Sequence, residues 1–229
     1  MTTSVRLVSY SQPSAEFVDQ GLTDAQELVA FCARVSNPSN QFNSETSDRL
    51  IKYLIRHQHW SPLEMVSACL EITTTRDIAR QILRHRSFSF QEFSQRYADP
   101  TQDLDFTVRE TRLQDHANRQ NSTELDLSKA EHRELADLWH EKQAAIIREC
   151  RDAYTWAVTN GIAKEQARAV LPEGLTLSRL YMNGTLRSWV HFVELRSANG
   201  TQKEHQEVAR CCAQVIADIF PVVNDRINR

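Results

Sequence analysis

A chain of 229 residues, 41% hydrophobic and 25% charged, has the composition of an ordinary globular protein and the length to bury a core. Its formal net charge of −3 argues against a general nucleic-acid binder, which carries a basic surface. No run approaches the roughly 18 apolar residues of a membrane span, and the N-terminal residues lack the basic start and apolar middle of a signal peptide.

In chain order, residues 5–10 form the first candidate strand. A hydroxyl followed three residues later by Glu or Gln marks three helix starts: Thr23 with Gln26, Ser128 with Glu131, and Thr201 with Glu204. They predict helices over residues 24–36, 129–160 and 202–219; Gly161 stops the second, and the third stops before Pro221. Residues 48–57 read as a helix with Leu50, Tyr53 and Leu54 on its apolar side. Residues 65–74 and 175–182 are rich in β-formers and alternate loosely, as strands do. Helices are expected over 75–86 and 185–196. Residues 99–127 are polar and aperiodic, a long excursion with a short strand near Phe106, and its length suggests a mobile flap. The sum is a helix-rich, mixed α+β chain in one domain. The cysteines, Cys32, Cys69, Cys150, Cys211 and Cys212, are odd in number and form no C-x-x-C pair, so they read as reduced, mostly buried thiols of a cytosolic protein.

Residues 84–97 stand out. Arg76, Arg80 and Arg84 are four apart and share a helical face, with Gln81 able to converge on Arg84. An ion-pairing face would interleave acids, and only Asp77 is near in sequence. The aromatics, serines, Glu92 and Arg96 that follow offer stacking faces, neutral donors and planar guanidinium forks. That mixture suits a phosphate-bearing, planar heterocycle. His57 and His59 lack a third ligand at useful spacing, so no metal site is expected. Arg187 and His191 share a face of one helix, whereas Arg196 falls about 180° away. Either that helix ends before Arg196 or the two arginines serve different sites. With glycine only at positions 21, 161, 174, 184 and 200, no G-x-G-x-x-G turn, Walker loop or G-x-S-x-G elbow is possible.

Arg84-His85-Arg86, seven residues, then Ser94 resembles the R-H-R-x7-S hallmark of the flavin-dependent thymidylate synthases, the ThyX family. The resemblance extends through Ala33-Arg34-Val35-Ser36, the turn from His59 to Glu64, Ala79-Arg80-Gln81, Ser94-Gln95-Arg96-Tyr97, Ala167 to Pro172, and Arg187 to Arg196. It implies a single α+β domain over residues 1–229, helix-rich around a central, mostly antiparallel sheet. It also implies that dUMP is methylated to dTMP. Methylenetetrahydrofolate would give the carbon and NADPH-reduced FAD the hydride, without a cysteine nucleophile. Members are homotetramers with shared active sites, which implies small-molecule partners and neither nucleic acid nor membrane.

By matched position, Gln81, Arg84, Glu92, Ser94, Gln95, Arg96, Arg168 and Arg196 look like the dUMP cradle. Arg196 looks like the catalytic residue, stabilising charge that develops on uracil. Ser36, His59, Ser61, Arg84, His85, Arg86, Glu92, Thr185, Arg187 and His191 look like FAD contacts. The chain departs from the family at Gln91, where several members have Asn, and at Leu63, where Phe is common. Thr185 and His191 also depart, standing where some members place flavin-contacting asparagines. Two other classes fit the residues less well: an RNA-binding module, disfavoured by the acidic balance, and a flavin oxidase or reductase without nucleotide methylation.

Overall fold

Ala68, Leu70 and Ile72 bury one face of a strand against helices, and the other face is at most partly exposed, so this segment forms the middle of a sheet. The computed structural model describes residues 3–223. In order it contains β1 (Ser4–Tyr10), α1 (Ala15–Asp19), α2 (Ala25–Ala33), α3 (Ser47–Arg56), β2 (Ser67–Thr75), α4 (Arg76–Ile82) and β3 (Ser89–Glu92). There follow α5 (Pro100–Asp103), β4 (Arg112–Gln114), β5 (Ser122–Glu124), α6 (Ala130–Thr159), α7 (Lys164–Ala167), β6 (Leu177–Thr185), α8 (Leu186–Arg196) and α9 (Lys203–Ile219).

The main sheet has four strands in the order β1-β2-β6-β3, every neighbour antiparallel. Ala68 pairs with Gly184, Leu70 with Met182 and Ile72 with Leu180, so the inward positions of β2 and β6 lie opposite one another. Onto this face pack Val29 of α2, Ile51 and Ile55 of α3, Trp189 and Phe192 of α8, and Val208, Cys212 and Ile216 of α9. The buried Trp189 indole donates to the Ala68 carbonyl at 3.0 Å, tying α8 to the sheet. On the opposite face the Glu71 carboxylate accepts from Arg6 at 2.6 Å and from Tyr181 at 3.0 Å, spanning three strands. A second cluster of Tyr154, Ala157, Ala167 and Leu171 packs α6 against the segment around α7.

Helix ends differ from the expectations in detail. α2 stops at Ala33, short of residue 36, and Asp24 is its cap, its carboxylate accepting from Glu27 N at 2.8 Å. Gln26 is instead buried, accepting from Val222 N at 2.6 Å. Ser128 and Thr201 likewise make no capping bond; Ser128 bonds Asp126. The buried side of α3 is Ile51, Leu54 and Ile55, and Tyr53 is exposed. Gly161 does end α6: its φ of 79° is a left-handed value that residues with a Cβ resist. The strand expected near Phe106 is a single bridge to Thr176. The rest of that excursion holds the β4–β5 hairpin, tied to α9 by Arg112 on Glu204 and by Lys203 on Glu110 and Glu124. The cysteines are unpaired, Cys212 fully buried and the others half-buried.

Phe88 and Gly184 set the approach of β3 to the sheet. A Cβ at Gly184 would lie 2.4 Å from Phe88 Cδ1 and 2.5 Å from Cε1, so only glycine lets the ring lie on the strand. The ring is held by Trp189 at 4.8 Å and Phe192 at 6.0 Å, leaving it little room to withdraw. Gly184→Ala is therefore expected to destabilise the chain by about 1–3 kcal/mol in denaturant unfolding. A loss under about 0.5 kcal/mol, the range of neutral substitutions, would show that the ring gives way freely.

Candidate active site

The helix expected to carry the Arg-His-Arg run stops before it. α4 ends at Ile82, and the amides of Arg84 and His85 bond back to Gln81 and Ile82 at 3.4 and 3.0 Å as the chain turns. Phe88 must reach Gly184 and β3 must pair with β6, so residues 83–88 reverse the chain instead of continuing the helix. Arg84, His85 and Arg86 thus sit on a turn. Arg76 and Arg80 do not join them. Both ion-pair with Glu92, at 3.6 and 3.8 Å, and with Glu173, at 3.4 and 3.6 Å. The acids missing from the local sequence arrive from β3 and from the loop before β6. Glu92 also accepts from Ser178 at 2.9 Å.

The turn meets the C-terminal end of α8. Arg196 Nε donates to His85 Nε2 at 2.8 Å, which requires His85 to be neutral with its proton on Nδ1. Burial and the Arg196 charge hold His85 down to about 4 from its ordinary 6.5. Burial and neighbouring Arg84 in turn lower Arg196 from the ordinary guanidinium range. Beneath them lies His205 of α9, fully buried and pushed down to about 3 by burial and then by Arg196 and His85. Gln81 reaches the same place, its Nε2 donating to Gln202 Oε1 at 2.9 Å. Gln81, Arg84, His85 and Arg196 are therefore brought together. Sequence reasoning missed Gln202 and His205, which carry no motif; only the closing of α9 onto α4 reveals them.

α8 runs unbroken through Arg196, so the alternative of an earlier helix end is excluded and the two arginines face different ways. Arg187 bonds Glu64, and the His191 ring meets Trp60 edge-on at 4.4 Å. Ser61 opens the 3₁₀ turn Ser61–Glu64, which carries Glu64 and directly follows Trp60. His59 is exposed beside Tyr53, with ring centres 6.0 Å apart. Thr185 caps α8, its hydroxyl accepting from Ser188 N at 3.3 Å. Ser36 sits on an exposed turn after α2.

Beyond β3, Ser94 Oγ accepts from Arg96 N at 3.4 Å, and Arg96 pairs with Glu165 of α7 at 3.3 Å. Arg168 begins the 3₁₀ turn that follows α7, so it lies on the same segment as the Arg96 partner. Gln95 is 4% exposed with Nε2 unbonded, and Tyr97 is 84% exposed. Among the described residues no carboxylate pairs with Arg84, Arg86, Arg168 or Arg196. Arg84 and Arg86 are exposed and Arg168 and Arg196 part-buried, so these guanidiniums are accessible and not neutralised by acids, which fits phosphate-bearing ligands such as a nucleotide or a flavin dinucleotide.

The two depressed imidazoles make stability pH-dependent. Between about pH 6.5 and 4 the unfolded chain takes up protons on both that the folded chain refuses, so stability is lost as pH falls through that window. For His205 the slope approaches about 1.4 kcal/mol per pH unit. Unfolding measured from pH 7 to 4 is expected to flatten by close to one proton in His205→Phe; an unchanged slope would place the protons elsewhere.

Comparison with known proteins bears on this geometry. Residues 16–222 match the family model of the thymidylate synthase complementing proteins. The chain is 44% identical over 220 residues to a probable flavin-dependent thymidylate synthase of Paramecium bursaria Chlorella virus 1, covering 96% of each protein. It is equally similar, 44% over 220 residues and 96% of each, to the flavin-dependent thymidylate synthase of Synechocystis sp.. In structure it resembles the UMP/dUMP methylase PolB of Streptomyces cacaoi crystallised with 5-Br UMP. The TM-score is 0.77 at 26% identity, over 99% of this chain and 93% of that one.

Proposed function

The chain belongs to the flavin-dependent thymidylate synthase family, and on that premise we propose how its residues divide the work. It methylates dUMP to dTMP and depends on a flavin, FAD, with NADPH and methylenetetrahydrofolate as the co-substrates usual in the family. Gln81, Arg84, Glu92, Ser94, Gln95, Arg96, Arg168 and Arg196 form the dUMP cradle. Ser36, His59, Ser61, Arg84, His85, Arg86, Glu92, Thr185, Arg187 and His191 contact FAD.

The single observation that supports this reading best is the Arg196–His85 bond beside Arg84. A guanidinium held by a neutral acceptor keeps its full charge for a ligand, because no carboxylate offsets it. Placed against uracil, it stabilises negative charge developing on the ring and makes C5 nucleophilic. Bound flavin, once reduced, supplies the hydride. The cysteines are unsuited to nucleophilic attack: burial raises the Cys32, Cys69, Cys150 and Cys211 thiols and strongly raises Cys212. Among the described residues the Ser94 hydroxyl bonds the Arg96 amide and no base, and it serves as a phosphate donor.

In one chain the Arg196 and Arg187 groups face opposite sides of α8, and Tyr97 at the end of the binding stretch is open to solvent. Along α6, Leu135, Leu138, Trp139 and Ile146 leave an apolar stripe exposed. These features support a homotetramer whose sites combine residues of several subunits. Among the described residues no helix is long and apolar enough to cross a membrane.

Release of tritium from dUMP labelled at C5 tests the assignment, since only substitution at that carbon frees the label. Arg196→Ala is expected to lose about 10²–10³-fold in rate, the scale of a lost oxyanion-type contact, while the protein stays yellow with flavin. Ser94→Ala is expected to weaken dUMP binding and keep turnover. Fast tritium release by flavin-loaded Arg196→Ala would sink the electrostatic role. NADPH oxidation without tritium release in the unmodified protein would point to a flavin reductase.

A further inference from the structure

The N-terminal turn of α9 grips the Gln81 carboxamide at both ends. Its Nε2 donates to Gln202 Oε1 at 2.9 Å, and its Oε1 lies 3.3 Å from His205 Nδ1. Because a carboxamide oxygen only accepts, Nδ1 must carry the His205 proton. The opposite tautomer would set two acceptors face to face and leave an N–H on Nε2, which is buried without a partner. The surrounding rings, Phe192 at 5.9 Å and His85 at 6.4 Å, offer that nitrogen nothing better. Gln202 is fixed in turn: its Nε2 donates to Glu204 Oε2 at 3.0 Å, and Glu204 pairs with Arg112 and Arg109.

We propose that His205 is a positioning residue for dUMP binding, its Nδ1–H holding the Gln81 carboxamide in the one orientation that leaves an N–H free for the nucleotide. The proposal rests on the placement of Gln81 in the dUMP cradle. Flipping the amide breaks both bonds to α9 at once, so the donor presented to the ligand is fixed before the ligand arrives. That preorganisation should appear in dUMP affinity and little in the chemical step.

The test compares full-length, flavin-loaded Gln81→Ala, His205→Phe and the double variant, using dUMP as the probe and tritium release as the rate. Gln81→Ala is expected to raise the KM for dUMP about tenfold, the scale of a lost hydrogen bond. His205→Phe keeps the ring volume without the donor and should raise it roughly three- to tenfold, with kcat and the NADPH KM within about twofold. The double variant should be no worse than Gln81→Ala, because one contact is being removed twice. His205→Gln, which restores a donor, should recover most of the affinity. An unchanged dUMP KM in Gln81→Ala overturns the site assignment and the proposal with it. A raised KM there beside an unaltered one in His205→Phe overturns the positioning role alone. Should His205→Phe fail to fold, Gln202→Leu at the half-buried end of the clamp carries the same expectation, and an unaltered dUMP KM there overturns it. The ¹⁵N spectrum of the His205 ring gives an independent reading: a protonated Nε2 would be fatal.

Discussion

The contact of the Phe88 ring with the bare Cα of Gly184 governs how the site is assembled. It ends α4 early, because the chain must turn back to lay the ring on β6. It delivers β3 into register with β6, and with it Glu92 to Arg76 and Arg80. His85, three residues before the ring, is thereby pressed against Phe192 at 5.0 Å and within reach of Arg196. A hallmark that looks linear in sequence works because a hydrophobic anchor folds it back on itself. Its charged residues are positioned by a residue that has no charge.

The electrostatics follow from what the turn excludes. Arg76, Arg80, Arg109 and Arg112 all have carboxylate partners, whereas Arg196 bonds a neutral histidine and lies within electrostatic reach of Arg84. Two imidazoles kept neutral by burial serve as hydrogen-bonding frames, holding polar side chains without cancelling charge. A carboxylate at His85 would hold Arg196 more tightly and leave it less able to attract an electron-rich ring.

Much of this was legible in the chain itself. Alternation located β1, β2 and β6 to within a few residues, and hydroxyl-to-acid spacing placed three helix starts to within about two, since both signals are local. The caps were a different matter. Asp24 displaced Thr23 because Gln26, the acceptor in the expected box, was claimed by the Val222 amide far along the chain. The end of α4 was illegible for a related reason: nothing in Arg-His-Arg breaks a helix, and the decision is made by packing at Gly184. Glu92 and Glu173 as partners of Arg76 and Arg80, and His205 beneath Gln81, depend on elements that meet only after folding. The residues rich in chemistry announced themselves by composition; those that orient them did not.

α8 fixes one dimension of the site. Arg187 and Arg196 are nine residues apart on a continuous helix, which separates them by about 13.5 Å along the axis and half a turn around it. The helix is held at both ends, by Thr185 at its cap and by His85 at its last residue. It therefore acts as a ruler between two binding surfaces, and its length cannot drift as a loop's can. Inserting a single residue between the two arginines would swing one by about 100° relative to the other, and deleting one would do the same in reverse. Relatives that vary freely in the hairpin between β4 and β5 should therefore be found to hold this interval of nine without gaps.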